Sequence, residues 1–423
     1  MTRRLGSLST LQYDPDRMKR VLVIPYDLNH IGGGSCVAAW ALQALVQHHS
    51  VSILTWTTPD LDITNRLFGT SLRQRDFRWF TMPALVRNAS LLTPSRMALL
   101  KTHILYRKAK QLNRSECFDV VFGMTNEIDV GSNVIQYVHY PWLQWPRPRY
   151  DLRWYHFSSL VLAYRRMAAG LSGYDQGRAA RNLSLANSDW TAARFEECYG
   201  VRPRTLYPPV PGGFPEVPFA ERDRAFAVVG RIAPEKRIEN LIRIVAAVRT
   251  RGHDVALRII GRAETPAFTE KLAAVAAPHR AWISFHQDLP RHEMVRLIAR
   301  HRYALHGMAE EHFGIAPAEV QRAGCITFVP NGGGPPEIVG RDERVIFHSA
   351  EDAVEKIDRM LRDSDLEESL RRDVEARRLR FTEQRFMSEI LAIFDSFGAS
   401  APRDATLPED GSAAQPAAQL RQV

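Results

Sequence analysis

The chain begins two separate stretches on the same pattern. Arg20-Val-Leu-Val-Ile-Pro25 is a short apolar run, followed by Gly32-Gly33-Gly34, a helical stretch over 35–47, and the run Val51-Ser-Ile-Leu-Thr-Trp56. Unbroken apolar strands of this length are buried on both faces, as in parallel sheets covered by helices. Strand, glycine turn, helix and strand make a βαβ unit. Strands at Val120-Val121-Phe122, Val134-Ile-Gln-Tyr-Val138 and around 183–186 extend it into a doubly wound half. A second half opens at Phe226-Ala-Val-Val229, with a helix over 238–251, the strand Ala256-Leu-Arg-Ile-Ile260, and further units to about 346. The stretch 351–397 reads as helices. Between the halves lies Pro208-Pro-Val-Pro-Gly-Gly-Phe-Pro-Glu-Val-Pro218, dense enough in proline and glycine to be a boundary. The expected fold is therefore α/β. Two doubly wound Rossmann-like domains face each other across a cleft lined by the carboxyl ends of both sheets.

Length agrees with two domains, since 423 residues exceed what one core accommodates. We expect a flexible lead-in over 1–18, a first domain over 19–207, a linker over 208–218 and a second domain over 219–380. A last helix follows over 381–398, then a disordered tail over 399–423 rich in Ala, Pro, Gln and charge. No run of about 18 apolar residues suggests a transmembrane helix, and the N-terminus has no apolar core of a signal peptide. Cys36, Cys117, Cys198 and Cys325 are far apart and read as free thiols in a reducing, cytoplasmic compartment. Residues 1–200 carry 24 Lys+Arg against 15 Asp+Glu, whereas the rest carries 32 of each, so the whole net charge of +9 sits in the first half. That half should face something anionic. Residues 93–114, mixing Lys and Arg with Leu, Ile and Met, could form a basic amphipathic helix lying on anionic lipid, or an ordinary solvated helix.

Chemistry concentrates in the second half. In Val228-Val-Gly-Arg-Ile-Ala-Pro-Glu-Lys-Arg237 a strand ends at Gly230, and Arg231 and Lys236 flank the loop before a helix. Two fixed cations at such a junction can neutralise a departing nucleoside diphosphate without a metal. The alternative is an exposed loop that happens to carry them. Downstream, Glu311 and Glu319 stand eight positions apart, the first at a glycine-containing turn and the second on a helix. Carboxylates accept hydrogen bonds from vicinal hydroxyls, and Gly314 lets backbone amides approach a ligand. Otherwise Glu311 is a helix-start residue and Glu319 a solvated face. Asn331-Gly-Gly-Gly-Pro-Pro-Glu337 follows the strand Ile326-Thr-Phe-Val329 and offers free amides, or is a plain turn. In the first half, Gly32-Gly33-Gly34 lacks the Lys-Ser/Thr of a P-loop, so its role would be close approach of Gly33 and Gly34 to the cleft. His139, in Tyr137-Val-His-Tyr-Pro141 directly after a strand, is a candidate sugar contact or a structural histidine. His48, His49, His301 and His306 read as surface or packing residues. Asp60-Leu-Asp62 has a metal-binding look, but Asp14-Pro-Asp16 and Asp363-Ser-Asp365 share it, so no metal or other cofactor is expected.

At these residues the chain resembles the retaining glycosyltransferases of family 4, which have the GT-B fold. The likeness spans roughly 19–397. It is carried by Gly230-Arg231 with Pro234-Glu235-Lys236, and by Glu311-His-Phe-Gly-Ile315 with Glu319. Three pieces are similar to the mannosyltransferases that extend lipid-linked oligosaccharides: Tyr137-Val-His-Tyr-Pro141, Asn187-Ser-Asp-Trp190 with Tyr207-Pro-Pro-Val210, and Glu311-His-Phe-Gly314. The resemblance implies that Arg231 and Lys236 hold the donor diphosphate, Glu311 the transferred hexose and Glu319 the ribose. It also implies that His139 touches the sugar and that Gly33, Gly34, Phe313, Gly314 and Ile315 border the donor. The first domain would be the acceptor side, and a helix over 383–397 would cross back to it. The sequence departs from the family at Val320-Gln-Arg-Ala-Gly324, with charge where small residues are common, and at Glu310, which precedes Glu311. The implied activity is transfer of a hexose, mannose from GDP-mannose by preference, to a glycan or lipid-linked acceptor, by an enzyme held peripherally on an anionic membrane face. The alternatives are a UDP-sugar transferase with a soluble acceptor, or a nucleic-acid-binding protein on an inactive core. Against the last, the four charged residues are intact and no nucleic-acid motif appears.

Overall fold

The computed structural model describes residues 18–29, 32–91, 98–141, 143 and 159–398. The expected lead-in over 1–17 and the tail over 399–423 lie outside the described residues. The first sheet has strands β1 (Arg20–Ile24), β2 (Ser50–Thr55), β3 (Arg78–Thr81), β4 (Val120–Gly123), β5 (Val134–Val138), β6 (Leu183–Ala186) and β7 (Arg204–Thr205). The second has β8 (Asp223–Val229), β9 (Ala256–Ile260), β10 (Ile283–His286), β11 (His301–Leu305), β12 (Ile326–Pro330) and β13 (Ile346–Phe347). Their orders are β3-β2-β1-β4-β5-β6-β7 and β10-β9-β8-β11-β12-β13, with every pairing parallel. The chain therefore reverses its direction of winding between β1 and β4, and again between β8 and β11. In such sheets the crevice for a ligand opens beyond the carboxyl ends of the strands at the reversal. The loops after β1, β4, β8 and β11 are thus the ones that matter.

Two sequence expectations need adjustment. The first helix runs Gly33–Leu45, so Gly33 and Gly34 belong to its first turn rather than to a loop before it. The basic stretch forms the helix Ala98–Glu116, while 92–97 lies outside the described residues. Its apolar stripe, Leu105, Tyr106, Ala109 and Leu112, is buried in the first domain's core with Val121 and Ile128. A lipid-facing apolar face is therefore not available on this helix, because the core already covers it. Asp60 and Asp363 cap helices: Asp60 accepts from the amides of Asp62 and Ile63, and Asp363 from those of Asp365 and Leu366. Aspartate is a strong helix cap for this reason. No helix among the described residues is long and apolar enough to cross a membrane.

The last helix, Glu383–Ser396, packs on the first domain. Phe386, Ile390, Ile393 and Phe394 recur at three- and four-residue spacing, the period of one helix face, and join the core of Val37, Ala41 and Phe122. Lys19 donates its ammonium to the carbonyls of Phe394 and Phe397, closing the helix's negative end. Phe394 is fully buried, edge-on to Phe122 at 5.3 Å. We expect Phe394→Ala to destabilise the protein by about 3–5 kcal/mol. Urea unfolding checks this, and a loss below about 1 kcal/mol would mean that the helix is not anchored there.

Candidate active site between the domains

A cleft of about 490 Å³ lies between the two sheets, bordered from the first domain by Tyr26, Gly33 and His139 and from the second by Arg231, Lys236 and Glu311. Each sits just beyond a strand's carboxyl end. Lys236 ends a short 3-10 turn, Pro234–Lys236, after β8. Arg237 follows in the left-handed region with φ 51°, and the helix Ile238–Thr250 starts from it. Glu311 lies on the loop after β11. The Lys236 ammonium donates to Glu311 Oε2 and stands 3.4 Å from Met308 Sδ. His306 Nε2 is 3.7 Å from the same carboxylate oxygen. Burial pushes the Glu311 carboxyl up, but the Lys236 charge beside it outweighs burial and holds it at about 2. Glu311 is therefore ionised at neutral pH.

The loop carrying Glu311 is fixed by glycines and by the other domain. Gly332, Gly333 and Gly334 face the backbone of residues 309–313, where a Cβ would lie 2.2–2.8 Å from its carbonyl oxygens. Gly334 donates its amide to the Glu311 carbonyl at 2.8 Å. This triglycine, read as a possible ligand cradle, instead lets one chain segment cross another. Next to it, the Glu337 carboxylate accepts from the amides of Asp189 and Trp190 at 2.9 and 2.8 Å. A carboxylate of the second domain thus caps the helix Asp189–Tyr199 of the first. His312 crosses as well. Its ring stacks on Tyr140 at 4.3 Å and lies parallel to Trp190 at 5.9 Å. Its carbonyl accepts from the Ser188 hydroxyl at 2.6 Å. The three sequence pieces singled out above therefore meet at one place, around His312.

The remaining candidates are placed as follows. Arg231 borders the cleft but is 57% exposed and paired with Glu235 at 2.8 Å and Glu264 at 3.2 Å. Exposed pairs of this kind are worth little and are easily exchanged for a ligand. Gly33 and Gly34 leave room for Ile315 from across the cleft and for the Tyr26 ring, either of which a Cβ would crowd. Gly314, with φ 103°, starts the helix Ile315–Arg322. Phe313 borders the cleft, while its ring is buried against Tyr207 and Phe381. Glu319 is buried on that helix, one turn behind the cleft-lining Ile315 and Ala316, and its carboxylate pairs with Arg291. Sequence reasoning set His306 aside and did not weigh His312 by itself. The available signal was position: His306 directly follows a strand, as His139 does.

The histidines share one electrostatic state. Burial pushes His139, His306 and His312 down to about 4, with His312 reinforcing the effect on His139 and Lys236 on the other two. The Nε2 atoms of all three are buried without a hydrogen-bond partner among the described residues. At neutral pH the site thus holds Lys236⁺, Glu311⁻ and neutral imidazoles.

Residues 214–377 match the family model described as "Glycosyl transferases group 1". A curated relative, the uncharacterized glycosyltransferase YqgM of Bacillus subtilis, is 28% identical over 151 residues, 35% of this chain and 42% of that protein. A second, the GDP-Man:Man(3)GlcNAc(2)-PP-Dol alpha-1,2-mannosyltransferase of Neurospora crassa, is 24% identical over 190 residues, 37% of this chain and 34% of that protein. The matches therefore span less than half the length of either relative. Among solved structures, WaaG, a glycosyltransferase involved in lipopolysaccharide biosynthesis, superposes with a TM-score of 0.62 at 15% identity, covering 90% of this chain and all of that one. Anabaena HepE, solved with UDP and glucose, gives 0.61 at 14% identity over 89% of this chain and all of that one. With these likenesses, the fold is GT-B: two Rossmann-like domains with a cleft between them.

The neutral histidines make a prediction. Between pH 6.5 and about 4 the unfolded chain protonates them and the folded chain does not. Their folded-state values are depressed, so stability is full above pH 6.5 and falls as pH drops through that window. Each contributes at most about 1.4 kcal/mol per pH unit. His306→Asn should flatten the slope of stability measured by urea unfolding from pH 7 to 5, and an unchanged slope would contradict the assignment.

Proposed function

We propose that the chain is a retaining glycosyltransferase that moves a hexose, mannose from GDP-mannose, to a hydroxyl of a glycan or lipid-linked acceptor. The observation that carries this reading is the Lys236–Glu311 pair on the loops after β8 and β11, where the second sheet reverses. A nucleoside diphosphate brought there meets the Lys236 ammonium and the exposed Arg231 guanidinium, which exchanges Glu235 and Glu264 for phosphate. The amino end of the helix Gly33–Leu45, which no side chain caps, faces the same cleft. As the bond between the anomeric carbon and the phosphate oxygen breaks, its electron pair leaves with the diphosphate, and these cations take up the charge. Glu311, ionised, accepts hydrogen bonds from the hexose hydroxyls. His139, neutral, adds a contact from the first domain. Glu319 takes the ribose hydroxyls. Attack by the acceptor oxygen on the same face retains configuration, and its hydroxyl proton passes to the departing diphosphate oxygen.

Mannose is favoured by the Neurospora relative and by the meeting of the three motif pieces around His312. A second reading, a UDP-sugar donor, is favoured by HepE, which was solved with UDP and glucose. For the acceptor, a cavity of about 680 Å³ in the first domain shares Tyr26 with the donor cleft and is lined by Trp56, Asp27, Asn29 and Lys101. Aromatic, amide and charged groups together suit a saccharide. Attraction to an anionic membrane would be electrostatic, through the outward cations Arg107, Lys108 and Arg114, since the apolar stripe of that helix is buried.

Two measurements test the reading. Lys236→Ala and Glu311→Ala should each lower hexose transfer by ~10²-fold or more, and wild-type rates in normally folded variants would sink it. GDP at ~100 times its Kd should stabilise the protein by about 2.7 kcal/mol, read as a thermal shift larger than that with UDP. The reverse order selects the UDP-sugar reading.

A further inference from the structure

Glu319 is the functional carboxylate whose surroundings the sequence did not foresee. It stands three residues after Ala316 and four after Ile315, both of which border the cleft, so it shares their face of the helix. Its Oε1 accepts from Arg291 Nη1, while Oε2 takes no hydrogen bond from the described residues. Arg291 begins the helix Arg291–Ala299, beyond β10, on a different strand-to-helix junction. Its other terminal nitrogen, Nη2, donates to the carbonyl of Pro211 in the interdomain linker at 2.5 Å. One planar guanidinium thus joins a carboxylate of the second domain to the segment that connects the domains.

The preceding residue, Val210, is held the same way. Arg322, three positions after Glu319, donates to the Val210 carbonyl and pairs with Glu383 at 2.6 Å at the start of the returning helix. The charge that departs from the family pattern in this helix therefore has a place: it grips the linker. A buried carboxylate needs both a counter-charge and a fixed orientation. Arg291 supplies both, because the two terminal nitrogens of a guanidinium cannot move independently.

We propose that Arg291 is a positioning residue for the donor nucleotide. It holds Glu319 Oε1 and thereby presents Oε2 to the vicinal hydroxyls of the donor's ribose, with the linker carbonyl as its second anchor. The proposal rests on the ribose role of Glu319 given above. A simple structural ion pair would affect folding and all ligands alike. A positioning role affects only ligands with the ribose diol.

The test titrates GDP and UDP, and their 2′,3′-dideoxy counterparts, into the wild type and into Arg291→Ala, Arg291→Lys and Glu319→Gln by calorimetry. The wild type should prefer the ribonucleotide by ~10-fold, or about 1.4 kcal/mol. Arg291→Ala should erase that preference by weakening the ribonucleotide ~10-fold while leaving the dideoxy form within ~2-fold. Arg291→Lys, which restores a cation but not the fork, should recover part of it and guards against a folding defect in the alanine variant. A ribose preference that survives in Arg291→Ala overturns the proposal alone. So does an equal loss for both ligands, or a tighter ribonucleotide, which would make Arg291 a blocker. If the wild type and Glu319→Gln both bind the two sugars alike, the ribose role of Glu319 falls, and the proposal falls with it.

Discussion

The site depends on where the backbone of residues 309–313 can run. It passes between a triglycine of its own domain and the helix Asp189–Tyr199 of the other, leaving no room for a Cβ on one side and accepting, through the His312 carbonyl, from the Ser188 hydroxyl on the other. That confinement brings Glu311 to Lys236. It also makes the cleft a joint product of the two domains. Glu337, two residues after the Pro335-Pro336 start of its short helix, caps the first domain's helix, and the His312 ring enters the stack of Tyr140 and Trp190. Burial pushes the Glu337 carboxyl up, opposed by the two amides that it accepts from.

The charge balance follows from that geometry. Lys236 and Glu311 neutralise one another while the cleft is empty of charge, and neither could be buried there alone without a cost of several kcal/mol. In the proposed function a diphosphate would shift the balance: the ammonium would then have two anionic neighbours, and Arg231, itself exposed, would turn inward from Glu235 and Glu264. The neutral imidazoles add no further positive charge, so Lys236 is the cation that Glu311 meets in the cleft. The arrangement suits a ligand that combines phosphate with a sugar better than a bare anion.

Much of the fold was legible because parallel strands buried on both faces read as plain apolar runs, as at Arg20–Ile24 and Ala256–Ile260. The edge strands were not. β3 mixes Arg78 and Trp79 with a half-exposed surface, and β7 is two residues long, too short to show a period. The loops with Lys236 and Glu311 stood out because cations and carboxylates adjoin glycine at strand ends. What stayed hidden depends on contacts between distant segments. Gly332–334 read as ligand glycines because sequence cannot tell a nearby phosphate from a nearby peptide. The Asp-x-Asp form at Asp60 and Asp363, set aside as a metal signal, recurs because helix capping uses the same side chain. Arg322 looked like a departure because its partners, Val210 and Glu383, lie 112 and 61 positions away.

The linker between the domains gathers arginines of the second domain. Val210 is held from both sides, its amide by the Phe381 carbonyl at 2.8 Å and its own carbonyl by Arg322. Pro211 lacks an amide hydrogen and offers only a carbonyl, which Arg291 takes. Gly212 follows with φ 135°, a region that favours glycine. Two consecutive linker carbonyls are thus clamped by side chains of the second domain just before it. Glu319 shares its helix with Arg322 and pairs with Arg291 from a second helix, so that one helix face is tied to both clamps on the linker.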